Sequence, residues 1–392
     1  MSYVADRRVH DADSHIMETA DFLARYAGAR VAAHLRQVPA PQFLRDDSDR
    51  VRAQLAQQRD PVYRERDAAE IMQRKNWDAT GAYYKEDRSR ALDHLGFASQ
   101  LIFNTYVNGY MSNLESTSDD LDLIYGLADA HNRALLDFCS VDRRLLPTAY
   151  VPLADFDRAK QTAEQAIKND FAALLVPSAC PRTHSPSHVG LFPVWRAAEE
   201  AGIPVLFHVG GGGKLLDPNY FRNGLPIPPD FHGGAENFRS VDYMAIPFPV
   251  MQTLATLIID GIMEQHPRLM FGVIEQGASW LPGWMRYLDS AADAFRRNEE
   301  RLQKLSLKPS DYVRRQIRAT PYPAEDVAWI AREAGAEIPL FSSDYPHVEG
   351  GRNPVKRFET SLDHADESTK TRFYHVNFAA LMGTALTRRG LA

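Results

Sequence analysis

Apolar residues in this chain fall into two patterns. Short runs cover residues 8–15, 98–103, 145–151, 171–176, 203–208, 269–275, 316–319 and 338–344, nearly continuous in apolar residues except for the mostly polar 8–15 and the mixed 316–319. Runs without alternation suit strands buried on both faces of a parallel sheet. Between them, apolar residues recur at helical spacing. Phe156, Ala159, Ala163 and Ile167 follow Asp155, a residue suited to an N-cap, and the pattern from about Leu191 stops at Gly202 with Pro204 just beyond. Further helices are expected over 119–139, 249–265, 280–302 and 325–334. Eight strands alternating with helices predict an α/β fold of the (β/α)8 TIM-barrel type, with the doubly wound sheet as the competing architecture. Residues 17–97, rich in Arg, Gln and Asp, read as a helical insertion between strands 1 and 2 of a single domain over 1–392. The Gly- and Pro-rich stretch from Gly210 to Pro249 reads as a long loop after strand 5, and loops of that length are usually functional or disordered.

Composition narrows the class. With 44% hydrophobic and 24% charged residues the chain resembles an ordinary globular protein. Its net charge of −6 argues against general nucleic-acid binding, which needs a basic face. No apolar run reaches the length of a membrane span, the N-terminus lacks a signal-peptide core, and two cysteines cannot build a disulfide framework. A cytoplasmic setting is expected.

The chemistry collects at strand ends. Asp13 and His15 stand two apart in the first run, so both side chains point to one side of a strand. The fifth run ends in His208, the sixth in Glu275 and the last in Asp344. Ligand-type residues at the C-terminal ends of parallel strands are where barrel enzymes keep their active sites. The bland alternatives are a surface turn for Asp13 and His15, a core histidine for His208, an Arg partner for Glu275 and a turn residue for Asp344. His347, three residues past Asp344, either faces the same pocket as a substrate-binding group or caps a turn. Arg182 is a candidate for a substrate carboxylate, although solvated loop arginines are commoner. Cys180, His184 and His188 lack a zinc spacing and read as loop surface or substrate contact. Gly210–Gly213 lacks the Lys-Ser/Thr ending of a phosphate loop and lets backbone pass close to the site. Cys139 reads as packing, and Trp280, Trp284 and Tyr287 as core or interface.

The segments HDADSH, FHVGG, IEQGASWLP and FSSDYPH together resemble the amidohydrolase-2 branch of the amidohydrolase superfamily, over nearly the whole chain from Asp11 to about Phe358. That branch includes metal-dependent decarboxylases of aminocarboxymuconate semialdehyde and γ-resorcylate. The resemblance implies a metal-bearing TIM-type barrel in which Asp13, His15, His208 and Asp344 surround a divalent metal (Zn, Mn or Fe). The family's first strand usually carries His-x-His, and its decarboxylases commonly offer a sixth-strand His. Asp13 and Glu275 replace these two imidazoles by carboxylates.

Three ionised carboxylates exceed the charge of one divalent cation, and uncompensated charge in a dehydrated site is costly. A second cation, a protonated Glu275 or a basic substrate group would each restore balance, and oxygen-rich ligation favours harder ions such as manganese or iron. The leading expectation is a hydrolase acting on a small organic molecule through metal-activated water, with Asp344 or Glu275 moving the proton. Non-oxidative decarboxylation, oxygen activation at a dinuclear site and a non-catalytic scaffold subunit are the alternatives. The expected partners are a small-molecule substrate and either a second copy or a related subunit, with neither nucleic acid nor membrane.

Overall fold

The structure, a computed structural model, describes residues 2–4, 7–19, 21–37, 49–211, 216–226 and 240–392. Seven strands are buried along their whole length: β1 His10–Ile16, β2 Ser99–Asn104, β3 Leu145–Tyr150, β4 Ala173–Leu175, β5 Val205–His208, β6 Phe271–Ile274 and β7 Ile317–Ala319. Each pairs in parallel with the next in sequence. Helices such as Leu121–Cys139, Phe156–Lys168, Phe192–Ala201 and Phe248–Ile259 form the crossovers. Their apolar faces, among them Leu127, Ala163, Trp195 and Leu254, share one core with the sheet. Burial on both faces explains why the strands other than β1 read as nearly unbroken apolar runs.

The expectation of a closed eight-stranded TIM barrel is corrected here. The sheet curls through 239° into an open half-barrel whose edges stand 9 Å apart. The apolar run 338–344 forms no strand of the sheet. It lies between the two edges and bonds to both, Leu340 N–H to the Ala319 carbonyl at 2.9 Å and Ala12 N–H to the Phe341 carbonyl at 3.1 Å, but its pairing amounts to isolated bridges, Ala319 with Pro339 and Ser14 with the following Tyr345. Two local features account for this. Pro339 has no N–H to donate, and Asp344 has φ +52, which breaks an extended run. An apolar stretch of this length looks the same in sequence whether or not it can hold a ladder.

Between β1 and β2 lie helices Ala29–Gln37, Asp49–Gln57, Pro61–Arg64, Asp67–Glu70 and Lys85–Leu95. Ion pairs of Arg74 with Asp67 and Glu70 knit this region, and Asn76 N–H donates to the Pro346 carbonyl at 2.9 Å. Its apolar side chains, Ile71, Met72, Leu92 and Leu95, join a second core with Phe341, Phe358 and Phe373. Among the described residues one helical stretch, Ser240–Ile259, is long and apolar enough by length and composition to cross a membrane. Val250, Leu254, Leu257 and Ile258 of that stretch are buried in the main core.

Candidate metal centre

The opening strand is polar in sequence yet wholly buried, so each of its polar groups needs a partner. Asp11 finds several. Its carboxylate accepts from Ser343 N–H at 2.7 Å, Ser343 Oγ at 2.6 Å and Gln100 Nε2 at 2.9 Å, clasping β1 to the segment after β7. Burial pushes its pKa up to about 7 against those bonds. The pairing of β1 with β2 is irregular between Asp11 and Ser14, which re-aims the side chains that follow.

Asp13, His15, His208 and Glu275 form one group with ligand atoms within 4.8 Å of one another, and His15, Asp344 and His347 form a second that shares His15. His15 Nε2 lies 3.1 Å from Asp13 Oδ1, 3.5 Å from Asp344 Oδ1 and 3.8 Å from Glu275 Oε2. His208 Nε2 lies 3.3 Å from Asp13 Oδ1 and 3.4 Å from Glu275 Oε2. Atoms held ~2.0–2.2 Å from one cation are themselves roughly 3.0–3.6 Å apart, so most of these spacings are those of a coordination shell. Both ring nitrogens of His15 are buried without a hydrogen bond. Close packing of lone pairs with little hydrogen bonding among them fits a shared cation. The donor set of imidazole and carboxylate suits a divalent ion of the zinc, manganese or iron type.

The surroundings prepare these ligands. His208 Nδ1 faces the Val209 carbonyl at 2.9 Å, which assigns the proton to Nδ1 and leaves the Nε2 lone pair towards the cluster. Burial, reinforced by His347, lowers the His15 pKa to about 4, so the ring is neutral. Arg88, fully buried, donates to the His15 carbonyl at 3.2 Å and to Ser14 Oγ at 3.0 Å, bracing the end of β1.

Two ligands sit on strained backbone. Glu275 has φ +53 and Asp344 φ +52, the left-handed region that non-glycine residues rarely adopt. Surrounding bonds hold them there. Glu275 N–H donates to Thr320 Oγ1 at 2.8 Å and its carbonyl accepts from Tyr322 Oη at 2.9 Å. Asp344 N–H donates to the Asp13 carbonyl at 3.0 Å, and its own carbonyl accepts from His347 N–H at 2.7 Å. Strain kept at ligand positions marks a site built for function.

On the far side of Asp344, His347 Nδ1 comes to 2.8 Å from Asp344 Oδ1, and His347 Nε2 is 2.8 Å from Thr105 Oγ1. The Thr105 hydroxyl donates to the Ile16 carbonyl at 2.8 Å, so it accepts from His347 Nε2–H. With Nε2 committed as donor, Nδ1 and Oδ1 at that distance call for a proton or cation between them.

Arg182 lies elsewhere, paired with Asp119 at 2.8 Å and more than a third exposed. His184 bonds the Leu153 carbonyl at 2.9 Å, His188 stacks on Phe156 and Cys180 is exposed. Cys139 and Trp284 are core residues, while Tyr287 is exposed. At Gly211 a Cβ would come within 3.1 Å of the His208 carbonyl, so backbone does pass close behind the ligand. Of the loop from Gly210 to Pro249, Gly212 and Gly213 lie outside the described residues. Asp11, Arg88 and Thr105, which brace the ligands, carry no spacing signal in the sequence.

The family model described as Amidohydrolase matches residues 10–381. An amidohydrolase structure from Mycobacterium avium subsp. paratuberculosis K-10 superposes with a TM-score of 0.71 at 21% identity, covering 96% of this chain and 100% of that one. The manganese-bound 5-carboxyvanillate decarboxylase of Novosphingobium aromaticivorans gives 0.63 at 17% identity, covering 96% and 97%. A dihydroxybenzoic acid decarboxylase from Polaromonas sp. JS666, with manganese and 2-nitroresorcinol, gives 0.61 at 15%, covering 98% and 99%. The comparison with curated proteins returns no match.

Proposed function

The chain belongs to the amidohydrolase family and is a metal-dependent enzyme, and on that footing we propose that it decarboxylates a small aromatic hydroxy acid without an oxidant. The observation that carries this reading is the Asp344–His347 contact backed by Thr105, a place where a proton is held at the edge of the ligand cluster. A divalent cation held by Asp13, His15, His208, Glu275 and Asp344 would anchor the substrate's oxygen atoms and draw electron density towards them.

The chain's own groups then have defined tasks. Asp344, sharing its proton with His347, delivers it to the ring carbon that bears the carboxylate. The bond from that carbon to the carboxyl carbon breaks, its electron pair returns to the ring, and carbon dioxide leaves. A proton from solvent then recharges the Asp344–His347 pair, with Thr105 fixing the imidazole's orientation. The β1, β5 and β6 ends supply a rigid frame for this geometry. Hydrolysis, the leading expectation from sequence, would use Asp344 as a base towards water. The decarboxylases among similar folds support the decarboxylation reading over it.

Manganese-loaded enzyme should be offered 2,6-dihydroxybenzoate and other ortho-hydroxybenzoates in deuterium oxide. The reading expects carbon dioxide and a product with one deuterium at the vacated ring carbon. Release of no carbon dioxide, with turnover of amides or lactones that takes up solvent oxygen, would overturn it.

A further inference from the structure

Lys75 belongs to the helical region between β1 and β2, one residue ahead of the single turn Asn76–Asp78. That turn is docked on the site. Asn76 N–H donates to the Pro346 carbonyl at 2.9 Å, between Asp344 and His347, and Trp77 stacks on Tyr106, next to Thr105. The Lys75 ammonium is shielded from solvent and makes no hydrogen bond. The charges acting on it are the Asp344 and Glu349 carboxylates, which favour its protonated form, and the Arg352 guanidinium, which opposes it. Burial lowers its pKa to about 8, so the side chain is still mostly a cation at neutral pH.

An ammonium carries three donors, and buried polar groups in native proteins nearly always have partners. Asp344 and Glu349 offset the charge of Lys75 without occupying its donors. An acceptor that arrives with a ligand supplies what is missing. The cluster beside it is lined by Asp13, Glu275 and Asp344, so an anionic molecule entering there meets carboxylates unless a cation faces it. A lysine suits that role as a point charge on a flexible stem.

We propose that Lys75 binds an anionic oxygen of the substrate on the Asp344–His347 side of the metal cluster, making the site selective for acids. This rests on the reading of the substrate as an aromatic acid. Lys75 is a binding residue for the substrate's charge and takes no part in the proton's transfer.

The test measures equilibrium binding of 2-hydroxybenzoate and of its neutral amide to the manganese-loaded enzyme, for wild type, Lys75→Met and Lys75→Arg. Lys75→Met should weaken binding of the acid at least tenfold, leave the amide within twofold and keep the metal content. Lys75→Arg should keep most of the acid's affinity. Equal affinity for the acid in Lys75→Met, equal losses for acid and amide, or no binding of the acid by wild type would each overturn the proposal. Lysine-dependent binding without release of carbon dioxide would sink decarboxylation and leave the acid site standing. Release of carbon dioxide with binding indifferent to Lys75 would do the reverse.

Discussion

Glu275 offers a direct test of whether the cluster is built at the expense of stability. Its φ of +53 places a side chain where glycine belongs, and bonds to Thr320 and Tyr322 keep the backbone there. Replacement by alanine removes the carboxylate but keeps the Cβ and therefore the strain. Replacement by glycine removes both. The left-handed conformation costs about 1–2 kcal/mol with a Cβ present, and glycine returns about 0.5–1 kcal/mol through the entropy of the unfolded chain. The net expectation is that Glu275→Gly is more stable than Glu275→Ala by about 0.5–1 kcal/mol, or ~1–4 °C in melting temperature for a domain of this size class. Glycine below alanine is the usual order in strands and helices, so the sign is diagnostic. The assay is calorimetry of both variants after chelation, which removes any contribution from bound metal. Added manganese should then stabilise each variant less than it stabilises wild type. An alanine variant as stable as the glycine variant, or more so, would refute the argument that backbone strain is stored at this ligand.

Asp344→Asn should lower turnover by ~10²–10⁴-fold, the usual loss for a general acid–base group, while circular dichroism stays unchanged; retention of full rate would remove Asp344 from the proton's path. Glu115, buried on the helix Val107–Thr117, accepts from Leu153 N–H at 2.6 Å and Tyr150 Oη at 2.9 Å, and burial pushes its pKa from 4.5 up to about 7. Because the folded value is raised, the stability contributed by its neutral form is complete below about pH 4.5 and is lost as pH rises through 7. Glu115→Gln should therefore match wild type near pH 4 and exceed it by about 3 kcal/mol at pH 8 in denaturant unfolding; a difference independent of pH would contradict this.

Much of the site could be read in the sequence because strand ends converge whatever the turns between them do. His208, Glu275 and Asp344 each close or follow an apolar run, Asp13 and His15 stand two apart on the first strand, and the parallel sheet brings these positions to one face. The closure of the barrel could not be read that way. Pro339 and the left-handed Asp344 leave an apolar segment lying between two edges without a ladder, and an apolar run does not announce backbone that cannot pair. Arg182 stood out as a loop cation near a strand end, but its partner Asp119 is distant in sequence and was invisible to spacing. Lys75, Arg88 and Thr105 were hidden for the converse reason. Arg88 and Thr105 act through contacts that exist only once β1, β2 and the segment after β7 are side by side, and Lys75 is placed by the docking of Asn76 on Pro346.

The central claim is that these strand-end side chains hold a catalytic divalent metal, and removing His208 tests it most directly. Four to five ligands share a binding energy of about 10–16 kcal/mol in tight protein sites, so one ligand is worth about 2–4 kcal/mol, or roughly 30–1,000-fold in affinity. Elemental analysis after dialysis should find at least one manganese, zinc or iron ion per wild-type chain. His208→Ala should have lost most of it while keeping its circular dichroism spectrum. A folded wild type that retains no metal, or a His208→Ala variant with full occupancy, would contradict the account.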